Sequence, residues 1–184
     1  MIESEKLVLQ DGELKVTILQ GLVSGEEWPL QPRELIDLRM ELYEPRSLHS
    51  IYVEQNGNCV ACRAVQAEGW ATTVHAHSSL LHGELCLVAT GVYVCALQLP
   101  SLDLVWATQT DPFTCFGIHH SLENQCYISH GELSIARLSY AGDVEWDQSG
   151  KDIFTGNLNL FPDRIEVTDW NDELYVFGFD GSPQ

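Results

Sequence analysis

The feature that most constrains this chain is a repeat. Residues 85–106, LCLVATGVYVCALQLPSLDLVW, lie over residues 125–146, QCYISHGELSIARLSYAGDVEW, without a gap and at a constant offset of 40. Five positions are identical: Cys86 and Cys126, Gly91 and Gly131, Ala96 and Ala136, Asp103 and Asp143, Trp106 and Trp146. After one inserted residue the match resumes, with Asp111-Pro112-Phe113-Thr114 over Asp152-Ile153-Phe154-Thr155. A unit of this length is one supersecondary element. It cannot bury both of its faces alone, so neighbouring units must stack.

Each copy reads as an antiparallel meander. Leu85–Ala89 and Cys126–Ser129 are expected first strands, and Gly91 and Gly131 mark turns where φ > 0 is available. Val92–Gln98 and Leu133–Ser139 follow as second strands. Pro100-Ser101 and Ala141-Gly142 supply the next turns. Leu104–Thr108 and Val144–Asp147 are third strands that carry the Trp. Phe113–Ile118 and Ile153–Thr155 are candidates for a fourth strand of each unit.

Ala96-Leu97 leading to Trp106, and Ala136 leading through Gly142 to Trp146, resemble the blade signature of quinoprotein-type β-propellers. In that signature an Ala-Leu strand passes through a Gly turn to a strand with a docking Trp. The resemblance covers residues 84–155. It departs at Arg137, where the family places Leu, and at Leu102, where it places Gly. It implies an all-β fold of repeated three- to four-stranded meanders stacked as blades of a small or incomplete propeller. It implies no particular activity, because such blades serve many. No quinone-cofactor ligands match, so no cofactor is expected.

Beyond the two clear copies the pattern thins. Arg164–Thr168 and Leu174–Phe179 form a hairpin across Asp169-Trp170-Asn171-Asp172, like the first two strands of a third unit. Ser50–Gln55, Asn56-Gly57-Asn58 and Cys59–Gln66 read as another hairpin, with Trp70 beyond it. Val8–Gln10, Asp11-Gly12 and Leu14–Leu19 read as one more. Residues 34–44 alternate apolar and polar, which favours a strand, although they are good helix formers too. The chain is thus expected to be one domain, with a divergent β region at 1–80 and propeller-like repeats at 81–184. A short propeller, an open stack of sheets, or a homo-oligomer that covers its sheet edges would each accommodate that unit count.

The charge balance narrows the partners. Nine Lys and Arg stand against 27 Asp and Glu, for a net charge of −18, and no two basic residues are adjacent. Neutralising phosphates requires clustered Lys and Arg, so nucleic acid and anionic membrane surfaces are disfavoured. Acidity by itself speaks for solubility, and beyond that for a basic protein partner. No basic, apolar leader opens the sequence, and no apolar run has the length of a membrane span. A cytoplasmic setting is therefore expected, with the six cysteines as thiols.

Among the chemical motifs, Cys59-Val60-Ala61-Cys62 is a lone C-x-x-C. On a strand its cysteines face opposite ways, and no second pair completes a zinc site. His75-Ala76-His77 is a better constellation. Alternate strand residues share a face, so His75 and His77, with His119 or His120, form a candidate metal set. Asp169, Asn171, Asp172 and Glu173 begin like a calcium loop but lack its Gly and closing Glu, so a solvated acidic hairpin tip explains them better. No nucleophile elbow, dinucleotide fingerprint or phosphate loop occurs. Trp106 and Trp146, at equivalent positions, fit packing between blades. Trp28 and Trp170 lie in turn-like contexts beside carboxylates, where an exposed Trp makes a protein-binding hot spot.

The sequence thus points to a non-catalytic protein-interaction module, in its concrete form an acidic binder or inhibitor of a basic protein, with Trp28, Asp169, Trp170 and Asp172 as the binding residues. A metal- or small-molecule-binding protein built on the histidines, and an enzyme with a loop-built site, stand as alternatives.

Overall fold

A computed structural model describes residues 6–21, 34–39 and 47–184, and all of the secondary structure in them is β. The strands fall into four sheets. The first contains β1 (Lys6–Asp11), β2 (Leu14–Gln20), β3 (Ile36–Asp37), β4 (Ser47–Gln55) and β5 (Asn58–Ala67), in the order β1-β2-β4-β5-β3. The second is the meander β6 (Ser79–His82), β7 (Leu85–Thr90), β8 (Tyr93–Gln98) and β9 (Asp103–Gln109). The third is β10 (Cys115–Ser121), β11 (Cys126–Gly131), β12 (Ser134–Leu138) and β13 (Val144–Ser149). The fourth is β14 (Asn159–Leu160), β15 (Arg164–Thr168) and β16 (Leu174–Gly178). Pro183 bridges to Phe177, and the Gln184 N–H donates to the Val176 carbonyl at 2.9 Å, which extends that sheet by one short edge.

Stacking explains why β7 reads as an unbroken apolar run. Its residues alternate between two cores, and both are closed. Cys86 and Val88 join Cys95 and Leu97 against Val16, Ile18, Ile51 and Val53 of the first sheet. Leu87 and Ala89 join Val94 and Ala96 against Ile118, Tyr127 and Leu138 of the third. The third sheet in turn offers Cys126, Ile128 and Ile135 to Ile165, Val167 and Phe177 of the fourth. A leucine sealed in this way, such as Leu87, contributes about 2 kcal/mol relative to exposure. The outermost strands β9 and β13 are largely exposed and carry Asp103, Glu145 and Asp147, charges that suit an edge.

Two expectations about the repeat change. Phe113–Ile118 does not close the unit before it. Cys115–Ser121 pairs with β11 and begins the next sheet, because the chain crosses from the outer edge of one sheet to the inner edge of the next at Asp111–Thr114. Likewise Ile153–Thr155 is a connection, not a strand, and it carries the fully buried Phe154 into the third core. The two repeat glycines serve close approach. A side chain on Gly91 would collide with the Glu68 carbonyl, and one on Gly131 would collide with the Asp111 carboxylate. Only Gly91 of the two has a positive φ, at 55°. In residues 34–44, Ile36–Asp37 forms a short strand parallel to β5, and 40–44 lie outside the described residues.

The docking tryptophans join the second sheet to the third and the third to the fourth. The Trp106 ring lies against Gly142, where a Cβ would sit 2.5 Å from it, and the Trp146 ring lies against Gly181. The Trp146 indole N–H also donates to the Phe179 carbonyl at 2.9 Å. Leu102 stands where Gly142 stands in the next unit, and both have positive φ, 60° and 89°. The left-handed backbone costs a leucine about 1 kcal/mol, and its complete burial more than offsets that.

Asp111 is the polar counterpart of these joints. Its Oδ1 accepts from the N–H groups of Phe113 and Thr114 at 2.7 and 2.8 Å. Its Oδ2 accepts from Leu133 and Ser134 at 2.7 and 2.9 Å. One buried carboxylate thereby clamps a connection to the turn of the following sheet. Asp111→Ala should lower the unfolding free energy by about 3 kcal/mol or more, since buried donors lose a charged acceptor. Urea unfolding measures this, and a loss below about 1 kcal/mol would contradict the clamp.

Candidate functional site

Antiparallel meanders that run from the inner to the outer strand bring two kinds of loop to one end of the molecule. These are the connections between sheets and the turns between each second and third strand. Hydrogen bonds confirm the convergence. Val92 N–H donates to Glu68 O (3.2 Å), Glu132 N–H to Thr114 O (2.8 Å), Phe154 N–H to Glu132 O (2.7 Å) and Trp170 N–H to Ile153 O (2.9 Å). Trp70 N–H donates to Phe113 O at 3.0 Å, so the first two connections touch.

At this end three aromatic rings project outward. Trp70 is 57% exposed, Phe113 48% and Trp170 68%. The carboxylates of Asp152, Asp172 and Glu173 are exposed beside Trp170. Asn171 Nδ2 donates to Asp152 Oδ2 at 2.9 Å, which holds that carboxylate next to the Trp170 turn. Lys151, the basic residue of these connections, pairs with Glu173 at 2.5 Å. Trp170 and Asp172 therefore stand on the surface as the sequence suggested. Asp169 turns inward. Its Oδ1 accepts from Asn171 and Glu173 N–H at 2.8 and 3.0 Å, and its Oδ2 from the Tyr175 hydroxyl at 3.0 Å. Burial works against its ionisation. The N–H groups of Glu173 and Asn171, the Tyr175 hydroxyl and Lys151 outweigh that and hold it below its ordinary value. Asp169 shapes the turn that presents Trp170. Trp28 lies outside the described residues.

Trp70 and Phe113 were not picked out as binding residues from the sequence. For Trp70 the available signal was position, a large aromatic after Glu68-Gly69 and beyond the hairpin, whereas Phe113 was read as opening a strand and is placed in a connection only by the structure.

The histidines gather elsewhere: His82, His119 and His120 lie on the inner strands β6 and β10, whereas His75 and His77, expected to alternate along a strand, lie in the exposed connection before β6. His77 stacks on His119 with centroids 4.8 Å apart, and His75 lies 6.4 Å from His77. His75 Nε2 donates to the Phe116 carbonyl at 2.8 Å, and its Nδ1 accepts from the His77 N–H at 3.2 Å. Both His75 nitrogens are thus engaged. His120, the next residue along the strand, meets His82 and Tyr140 instead, and His82 Nδ1 is hydrogen-bonded to the Tyr127 hydroxyl at 2.6 Å. Burial pushes the Tyr127 hydroxyl up to about 12, with Tyr140 adding to it, so it stays protonated. Among the described residues no group of three His, Cys, Asp or Glu is arranged to hold a metal ion. His77, His119 and His120 do border a cleft of about 440 Å³, with Leu80, Ile118 and Phe161 among its apolar walls.

These imidazoles make stability depend on pH. Burial lowers His119 to about 3, with repulsion from His77 and His130 contributing, and burial lowers His130 to about 4. Both stay neutral in the fold, whereas an unfolded imidazole takes up its proton near 6.5. The unfolded chain binds more protons in this window, so the stability from the neutral rings is full above pH 6.5 and is lost as pH falls toward 4. Each ring costs up to about 1.4 kcal/mol per pH unit there. The melting temperature should fall less steeply between pH 6.5 and 4 in His119→Gln than in the parent chain. Parallel slopes would contradict this.

No protein-family model matches the chain, and no curated protein matches it. Solved structures do. The computationally designed Ika4 protein aligns with a TM-score of 0.56 at 11% identity, over 79% of this chain and 98% of that one. The designed Ika8 protein gives 0.57 at 10%, over 94% of this chain and 57% of that one. BamB from Moraxella catarrhalis gives 0.54 at 15%, over 99% of this chain and 65% of that one. The chain thus spans about three fifths of the Ika8 and BamB chains. At these identities the likeness establishes the fold, which is all-β and propeller-like.

Proposed function

We propose that this protein is a binding module that presents its acidic, aromatic loop end to a basic protein. One observation carries the reading. Trp70, Phe113 and Trp170 are exposed at the same end, on backbone that the joints between sheets hold fixed, with carboxylates beside Trp170. Exposed Trp rings offer apolar area and a face for Lys or Arg cations. Asp152 and Asp172 offer carboxylate acceptors to guanidinium groups, while Glu173 is paired with Lys151. The net charge of −18 accelerates encounter with a basic surface. The docked Trp106 and Trp146 support the quinoprotein-type reading of the blades, without its cofactor chemistry. No helix among the described residues is long and apolar enough to cross a membrane, and the cytoplasmic setting remains part of this proposal.

A second reading has the histidine-bordered cleft as a site for a small planar ligand. Native mass spectrometry of freshly purified protein tests it, and a co-purifying small molecule would favour it.

The main reading is tested with the Trp70→Ala and Trp170→Ala variants against a basic protein captured by the parent chain. Surface truncations of this kind change stability by about 0.5 kcal/mol or less. Each should weaken binding by roughly tenfold or more, as hot-spot residues do. Binding should also fall steeply with salt, because the exposed charges are screened. Affinity indifferent to both substitutions, or to salt, would overturn the reading.

A further inference from the structure

The Cys59-Val60-Ala61-Cys62 segment lies on β5, where residues three apart would ordinarily face opposite ways. The strand is not regular there. Ala61 pairs with Val53, but Cys59 pairs with Glu54, so Val60 is an extra residue with no partner on β4. This β-bulge shifts the register by one. Cys62 sits opposite Tyr52 and Cys59 opposite Glu54, two residues apart on β4 and so on one face. The sulfurs are consequently 3.5 Å apart. A disulfide bond needs about 2.05 Å, so roughly 1.5 Å of closure separates the pair from a bond. Val60 is 44% exposed and the adjoining turn at 55–58 is exposed, so Cys59 has room to make that move.

We infer that Cys59 and Cys62 are a redox pair that glutathione disulfide closes reversibly into an intramolecular disulfide. Accessibility assigns the roles. Cys59 is partly exposed and attacks first, while Cys62 is only 2% exposed and resolves. The Cys59 thiolate attacks one glutathione sulfur, forming a mixed disulfide and releasing one glutathione thiolate. The Cys62 thiolate then attacks the Cys59 sulfur and releases the second. Two electrons pass from the protein to glutathione disulfide, and the two thiol protons go with them to yield two glutathiones. The remaining cysteines do not compete. Cys86, Cys95, Cys115 and Cys126 are fully buried, and burial pushes the Cys86 and Cys115 thiols up to about 12.

The test exposes the native full-length chain to glutathione disulfide, alkylates it and reads the intact mass and peptide map. Two of the six thiols should disappear, linked as Cys59–Cys62, and dithiothreitol should restore them. Cys62→Ser should stop at a glutathione adduct on Cys59, and Cys59→Ser should give neither product. A mixed disulfide that persists on parental Cys59, a bridge that maps elsewhere, or six unreacted thiols would each overturn the inference.

Discussion

The structure depends on how closely one sheet can approach the next. Where Gly91 meets the Glu68 carbonyl and Gly131 meets the Asp111 carboxylate, no side chain fits. The Trp106 ring presses on Gly142 between the second and third sheets, and the Trp146 ring on Gly181 beyond the third. These contacts set the spacing that lets both faces of β7 close into packed apolar cores. They also fix the connections between sheets. Trp70 and Phe113 are held in place because Glu68 O and Thr114 O, beside them, accept from the turn residues Val92 and Glu132, and Trp70 N–H donates to Phe113 O.

The repeat was legible because its two copies preserve the residues that make the joints. Its phase was not. A run of strands in sequence does not reveal whether a strand ends one sheet or begins the next, and that is decided by Asp111, whose four accepted N–H bonds turn the chain inward. Leu102 looked like a departure from the pattern, yet it takes the backbone conformation of Gly142. The first sheet was read only as two hairpins, because the turns alone marked it and its core residues come from distant segments. The facing of the two C-x-x-C cysteines was misread for a local reason: alternation assumes a regular strand, and the bulge at Val60 breaks that assumption.

The candidate site was half legible. Trp170 and Asp172 announced themselves as an aromatic and a carboxylate in a turn, while Asp169 in the same turn is spent on the backbone. Trp70 and Phe113 become part of a surface only once the topology brings three connections to one end. The histidines were grouped by alternation, and His77 and His119 do meet, but His120 on the opposite face belongs to the His82, Tyr127 and Tyr140 group. Burial keeps the His119 and His130 rings neutral among the inner strands, beside the exposed His75 and His77.

The central claim is that one end of the molecule meets its partner. Hydrogen exchange of the chain, alone and saturated with a basic protein that it binds, tests this most directly. The account predicts slowed exchange at Glu68–Trp70, Asp111–Thr114 and Asp169–Glu173, with the opposite-end turn at Leu122–Gln125 unchanged. Protection confined to that opposite end, or to the inner strands around His77 and His119, would contradict it.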